Sequence, residues 1–124
     1  MNLGKHTFLD LYECDKAILN NIKELENLML EAAQMANATI IKAHFHQFSP
    51  QGISGSVIIA ESHFNIHSWP EYAYAAVDLF TCGDTIDEAL ATRFLVSKLE
   101  SKRHEVKTIL RGFISSADAI NTQG

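Results

Sequence analysis

The chain has 124 residues, of which 47% are hydrophobic and 20% charged, with a formal net charge of −5. That length fits one domain of ordinary globular balance. The acidic balance gives no long-range attraction to phosphate backbones, and no apolar run reaches the ~20 residues a membrane helix needs, so we expect neither nucleic acid nor membrane as a partner.

The first residues, Met-Asn-Leu-Gly-Lys-His, lack the apolar stretch of a secretory leader, so we expect a cytoplasmic protein. Cys14 and Cys82 are then expected as free thiols in a reducing compartment. From His6 to Tyr12 the residues alternate, with Thr7, Leu9 and Leu11 on one side and Phe8, Asp10 and Tyr12 on the other, which reads as a half-buried strand. Between Asp15 and Asn37 the apolar positions Ile18, Leu19, Ile22, Leu25, Leu28, Met29, Ala32, Ala33 and Ala36 form the stripe of one amphipathic helix. Asn37 tolerates the left-handed conformation that ends helices.

Thr39 to Phe48 is rich in β-branched and aromatic residues and reads as a strand. Ser49-Pro50-Gln51-Gly52 follows as a turn. Strands are expected again at Ile53–Ala60, Ser62–Ser68 and Ala73–Thr81. A second helix opens near Asp84 or Thr85, where Thr85 and Glu88 have capping-box spacing. Its acidic start (Asp84, Asp87, Glu88) and basic end (Lys98, Lys102) suit the helix dipole. Glu105–Leu110 is the last expected strand, and Gly112 onward reads as a loose tail.

Short turns between the middle strands favour antiparallel pairing. The expected fold is therefore α+β, a two-layer sandwich with an antiparallel sheet and two helices on one face. The Ile53–Ala60 and Ala73–Phe80 runs hint that the second face is apolar too. A second copy would cover such a face, sheet against sheet across a homodimer.

Reactive side chains crowd into one stretch: Glu61-Ser62-His63, His67, Trp69-Pro70-Glu71-Tyr72 and Cys82. Each taken alone is more simply a structural residue. A zinc site could draw on His44 and His46, on His63 and His67, and on Cys82, but paired-cysteine spacing and a His-Glu-x-x-His motif are missing. A hydrolase could use Ser62, His67 and Glu71 or Asp78. The Gly-x-Ser-x-Gly elbow is absent, and Gly52-Ile53-Ser54-Gly55 leads into a strand rather than a helix.

The order of these motifs adds a resemblance. Gly52-Ile53-Ser54-Gly55, Glu61-Ser62-His63, Ile66-His67-x-Trp69-Pro70-Glu71-Tyr72 and Asp78-Leu79-Phe80-Thr81-Cys82-Gly83 resemble the small prokaryotic S-adenosylmethionine decarboxylases, pyruvoyl-dependent enzymes made as proenzymes. Leu3-Gly4-x-His6 and Tyr12-Glu13-Cys14-Asp15 match the same pattern, so the likeness covers most of residues 3 to 112. Ser68 stands where threonine is common and Ala73 where glycine is common.

The resemblance implies self-cleavage between Glu61 and Ser62 into chains 1–61 and 62–124. Ser62 would become a covalent pyruvoyl group that forms a Schiff base with the substrate amine, in the place of an added cofactor. His67 is implied as the base in processing, with Ser54 assisting, and Cys82 as the proton donor in catalysis. Phe48 and Trp69 would sandwich the adenine of S-adenosylmethionine, and Glu71 would accept from its ribose hydroxyls. No metal is implied. Members are homodimers with active sites at the interface, and their product donates the aminopropyl group for spermidine synthesis. Two alternatives stay open: an arginine or ornithine decarboxylase on the same scaffold, and a non-catalytic homologue that regulates an active partner.

Overall fold

The computed structural model describes residues 1–115. Six strands, β1 (Asn2–Tyr12), β2 (Ile40–Gln47), β3 (Ile53–Ile59), β4 (Ser62–Trp69), β5 (Tyr74–Thr81) and β6 (Arg103–Phe113), form one sheet in the order β2-β3-β4-β5-β1-β6. Every pairing is antiparallel. Helices α1 (Lys16–Leu19), α2 (Ile22–Met35) and α3 (Glu88–Lys98) and a 3-10 turn at Pro70–Tyr72 complete the described elements. The expected two-layer α+β architecture is what forms.

Alternation along the strands decides where the core lies. Leu9 and Leu11 of β1, Val57 and Ile59 of β3, Phe64 and Ile66 of β4 and Val77 and Leu79 of β5 are buried with Leu25, Met29, Ala32 and Ala33 of α2 and Ala91 and Leu95 of α3. Removing this apolar surface from water is the main stabilising term.

Several expectations shift in detail. The first helix is two helices. The Asn21 side chain caps α2 by accepting from Glu24 N at 3.1 Å, and Asp15 caps α1 through Ile18 N at 3.0 Å. Asn37, at φ +69°, does follow α2 in the left-handed conformation. The Thr85–Glu88 capping box does not form: Asp87 caps α3 through Leu90 N at 3.0 Å. β1 and β6 are longer than expected because they pair along their whole lengths, from Asn2 with Phe113 to Tyr12 with Arg103. Gly112 and Phe113 therefore belong to β6, Ile114 N still donates to Met1 O at 2.8 Å, and residues 116–124 of the expected tail lie outside the described residues.

The outer sheet face is mixed rather than uniformly apolar: along the Ile53–Ala60 and Ala73–Phe80 runs it carries Ile58, Ala76 and Phe80 beside Ser54, Ser56 and Asp78. Burial alternates strictly along β5 and, apart from the exposed Ile58, along β3 in the same way, so Ser54, Ser56, Ala76 and Asp78 point away from the helices. Those runs looked continuous because Ile58, Ala76 and Phe80 fill outward positions. Among the described residues no helix is long and apolar enough to cross a membrane.

Candidate active site

The same alternation gathers polar chemistry on the outer face. The register places His6 of β1, His44 and His46 of β2 and His63 and His67 of β4 there, with Asp10 and Asp78. The residues singled out in the sequence fall into two groups at opposite ends of β4.

The first group surrounds the Glu61–Ser62 junction, in the turn from β3 to β4. The Glu61 carbonyl accepts from the Cys82 backbone N–H at 2.8 Å, and the Glu61 carboxylate accepts from Thr39 N at 3.1 Å. Ser62 has φ +146°, a region L-residues rarely adopt. Holding a serine there costs about 1–3 kcal/mol and persists only where neighbours enforce it. Across the ladder Ser62 pairs with Thr81, which carries the chain into the exposed Cys82. Thr81 is itself anchored: its hydroxyl donates to Glu88 Oε1 at 2.8 Å, and Glu88 Oε2 lies 3.2 Å from Lys5 Nζ.

The second group lines a cleft of about 320 Å³ containing Phe48, Ser54, His67, Trp69 and Glu71. Ser54 and His67 are register partners, and Ser54 Oγ is hydrogen bonded to His67 Nδ1 at 2.8 Å. Phe48 and Trp69 leave 48% and 41% of their surfaces exposed, enough to offer ring faces to a ligand. The turn beneath them is fixed by Asn20, whose Oδ1 accepts from Gly52 N at 3.0 Å and from Gln47 Nε2 at 2.9 Å. Trp69 also stacks on Tyr74 at 5.4 Å, and Tyr74 on Tyr12 at 5.3 Å. Burial, followed by its hydrogen bond to Asp10, pushes the Tyr74 phenol upward, so it stays a donor.

Within one chain the two groups do not meet. Ser62 and His67 are five positions apart on β4, about 17 Å at ~3.4 Å per residue. His67 Nδ1 is paired with Ser54, and the hydrolase arrangement of Ser62 with His67 is not formed. A wider groove of about 560 Å³ crosses β5, β1 and β6 past Asp10 and Asp78, and holds none of the residues to which the resemblance assigns a role.

A third constellation escaped sequence reading. Asp78 Oδ2 lies 2.8 Å from His6 Nε2 and 3.2 Å from His63 Nε2, and Arg111 Nη1 lies 3.3 Å from His6 Nδ1. Outward placement of His6, His63 and Asp78 follows from alternation, but their meeting depends on strand order. Among the described residues, His6, His63 and Asp78 bring three potential metal-ligand atoms within 4.8 Å, whereas His44, His46, His67 and Cys82 form no such group. The surroundings favour hydrogen bonding over a metal. Arg111 can only donate, so His6 Nδ1 must accept, which places the neutral ring's proton on Nε2, facing Asp78.

The fit of this chain to a serine-derived carbonyl group rests on the junction: a hydroxyl residue in a strained conformation beside a peptide carbonyl already held by an N–H donor. Comparison with known proteins points the same way. Residues 5–112 match the family model described as S-adenosylmethionine decarboxylase. The chain is 54% identical over 110 residues to the S-adenosylmethionine decarboxylase proenzyme of Pseudomonas paraeruginosa, covering 89% of this chain and 69% of that protein. It is 47% identical over 113 residues to the proenzyme of the same name from Thermodesulfovibrio yellowstonii, covering 91% and 84%. The crystal structure of the adenosylmethionine decarboxylase from Aquifex aeolicus superposes with a TM-score of 0.86 at 36% identity, covering 93% of this chain and 95% of that one.

Proposed function

The chain belongs to the S-adenosylmethionine decarboxylase family, and from that premise we propose that it cuts itself between Glu61 and Ser62 and then decarboxylates S-adenosylmethionine. The observation that carries this reading is the Glu61–Ser62 junction, where strain in Ser62 meets a polarised carbonyl.

In the first step Ser62 Oγ adds to the Glu61 carbonyl carbon. The developing oxyanion stays in reach of the Cys82 N–H, the kind of preorganised donor that stabilises such charge. The peptide C–N bond breaks, the nitrogen takes the hydroxyl proton, and an ester joins the two halves. A base then removes the Ser62 α-proton, the Cβ–O bond breaks, and Glu61 departs as the carboxylate end of chain 1–61. Hydrolysis of the resulting dehydroalanine, with loss of ammonia, leaves a pyruvoyl group at the start of chain 62–124. That group supplies a carbonyl electron sink for the pair released as carbon dioxide leaves.

The remaining tasks fall to the side chains of the chain itself. Cys82, exposed at the end of β5, delivers a proton from its thiol to the substrate carbon. Phe48 and Trp69 hold the adenine, and their ring faces attract the sulfonium cation by ~0.5–2 kcal/mol. Glu71 accepts hydrogen bonds from the ribose hydroxyls. The cleft's 320 Å³ lies at the small end of the range for ligand pockets and suits the nucleoside part of the substrate.

His67 is the base for the α-proton, set by its bond to Ser54. Because His67 lies about 17 Å along β4 from Ser62 in its own chain, the base that serves Ser62 comes from a second copy. The working enzyme is thus a homodimer in which the Ser62–Cys82 end of one protomer meets the cleft of its partner. The polar outer face, with its histidines and aromatics, is the surface on which such copies would meet. We place the enzyme in the cytoplasm, supplying the aminopropyl donor for spermidine.

Co-expression tests the shared site. Chains carrying Ser62→Ala or His67→Ala should each stay uncut alone. Together they should yield fragments 1–61 and 62–124 from the His67→Ala chain and release carbon dioxide from carboxyl-labelled S-adenosylmethionine. A mixture that stays uncut would contradict it.

A further inference from the structure

The Arg111–His6–Asp78–His63 constellation spans four neighbouring strands, β6, β1, β5 and β4, and none of the steps above uses it. It ends on the residue that follows the scissile junction. We propose that Asp78, oriented by His6 and Arg111, is a positioning residue for self-cleavage: it fixes His63 and so holds Ser62 in its strained conformation against the Glu61 carbonyl. This rests on the reading of Ser62 as the residue that cuts the chain.

The geometry supports a clamp with two jaws. On the upstream side, Glu61 is held at both ends, its carbonyl by Cys82 N at 2.8 Å and its carboxylate by Thr39 N at 3.1 Å. On the downstream side, His63 Nε2 lies 3.2 Å from Asp78 Oδ2 while its ring stacks on Phe80 at 5.7 Å. Ser62, at φ +146°, lies between these fixed points. A residue in that region relaxes unless its surroundings over-determine it. If His63 were free to turn, the junction could move to ordinary extended backbone and carry Ser62 Oγ away from its target.

The upstream members explain why Asp78 is aimed. Its carboxylate sits diagonally between His6, which pairs with Phe80 in β5, and His63, which pairs with the same Phe80 from β4. Arg111 faces His6 Nδ1 at 3.3 Å, which fixes the tautomer and directs the Nε2 proton to Asp78. One carboxylate oxygen thereby serves two imidazole donors at 2.8 and 3.2 Å, and its orientation is set from the β1 side. The Coulombic environment of that oxygen also includes the Arg111 guanidinium, which lies over the Phe80 ring at 5.8 Å.

The test follows the uncut full-length chain by intact mass after a pulse of cell-free synthesis. Asp78→Ala and His63→Ala should each slow cleavage about tenfold, and the double variant should be no slower than either, because both break the Asp78–His63 contact on which Ser62 depends. Asp78→Asn keeps a carbonyl oxygen able to accept from both rings and should cleave within about threefold of wild type. A residue that merely supported the sheet would give additive slowing and no rescue by asparagine. Cleavage of Asp78→Ala at the wild-type rate, or additive effects, would overturn the proposal. Should Asp78→Ala fail to fold, Arg111→Met, which removes the partner of His6 Nδ1 and leaves Asp78 and His63 in place, should still slow cleavage about two- to threefold, and an unchanged rate there would overturn it. A wild-type chain that never cuts would remove the underlying reading of Ser62. A wild type that cuts as fast as Asp78→Ala would remove only the role of Asp78.

Discussion

The strain at Ser62 can be weighed without any catalysis, by comparing two variants that cannot cut themselves. Ser62→Ala keeps a Cβ, and hence the penalty of φ +146°; Ser62→Gly removes it. The conformation costs about 1–3 kcal/mol for an L-residue. Glycine loses more chain entropy on folding, which offsets about 0.5–1 kcal/mol of the relief. The net expectation is that Ser62→Gly is more stable than Ser62→Ala by roughly 1 kcal/mol. At an unfolding entropy of ~2.1 cal/mol/K per residue, that is about 4 °C in a chain of this length. Both variants should remain single uncut chains, so thermal melts at equal protein concentration compare like with like. At an ordinary strand position the sign is opposite, since glycine is worse than alanine there. A glycine variant that melts at or below the alanine variant would refute the idea that the junction is strained.

Two further outcomes follow from the site. Glu71→Gln should raise the Michaelis constant for S-adenosylmethionine by about ten- to a hundredfold, as expected for a weakened charge-assisted bond to ribose, while self-cleavage proceeds; steady-state kinetics on the processed variant would check this, and an unchanged constant would remove ribose recognition from Glu71. The two thiols should differ sharply. Burial pushes Cys14 up to about 11, whereas Cys82 is exposed. Iodoacetamide at pH 8 should therefore label Cys82 and abolish turnover while sparing Cys14; peptide mapping that finds Cys14 labelled first would contradict the burial. The same upward shift means that the contribution of Cys14 to stability is complete below about pH 9 and declines as pH rises toward 11.

Alternation made most of the fold legible. The half-buried pattern of His6–Tyr12 gave β1 its faces, and the stripe from Ile18 to Ala36 gave the helical segment. The break at Asn20–Asn21 was hidden because it depends on side-chain bonds: Asn21 caps α2, and Asn20 reaches across to Gly52 and Gln47. The capping box at Thr85–Glu88 failed for a related reason. Glu88 is taken by Thr81 and Lys5, partners that local spacing does not reveal.

The candidate site was legible as residue types and motif order, through the resemblance. Its division into two groups was also within reach of the sequence, since Ser62 and His67 lie on one strand and the separation follows from counting residues. The Arg111–His6–Asp78–His63 network was not within reach. It needs β1 between β5 and β6, and strand order is fixed by packing of the whole chain rather than by any segment of it.

Self-cleavage to a carbonyl group that captures S-adenosylmethionine is tested most directly by a denaturing intact-mass spectrum. The protein would be incubated with S-adenosylmethionine, arginine or ornithine, each with cyanoborohydride to trap the amine adduct. The expected result is two fragments, residues 1–61 and 62–124, with the adduct on the second and only from S-adenosylmethionine. A single species at 13.8 kDa without adduct would contradict the self-cleaving enzyme, and an adduct from arginine or ornithine instead would contradict its substrate.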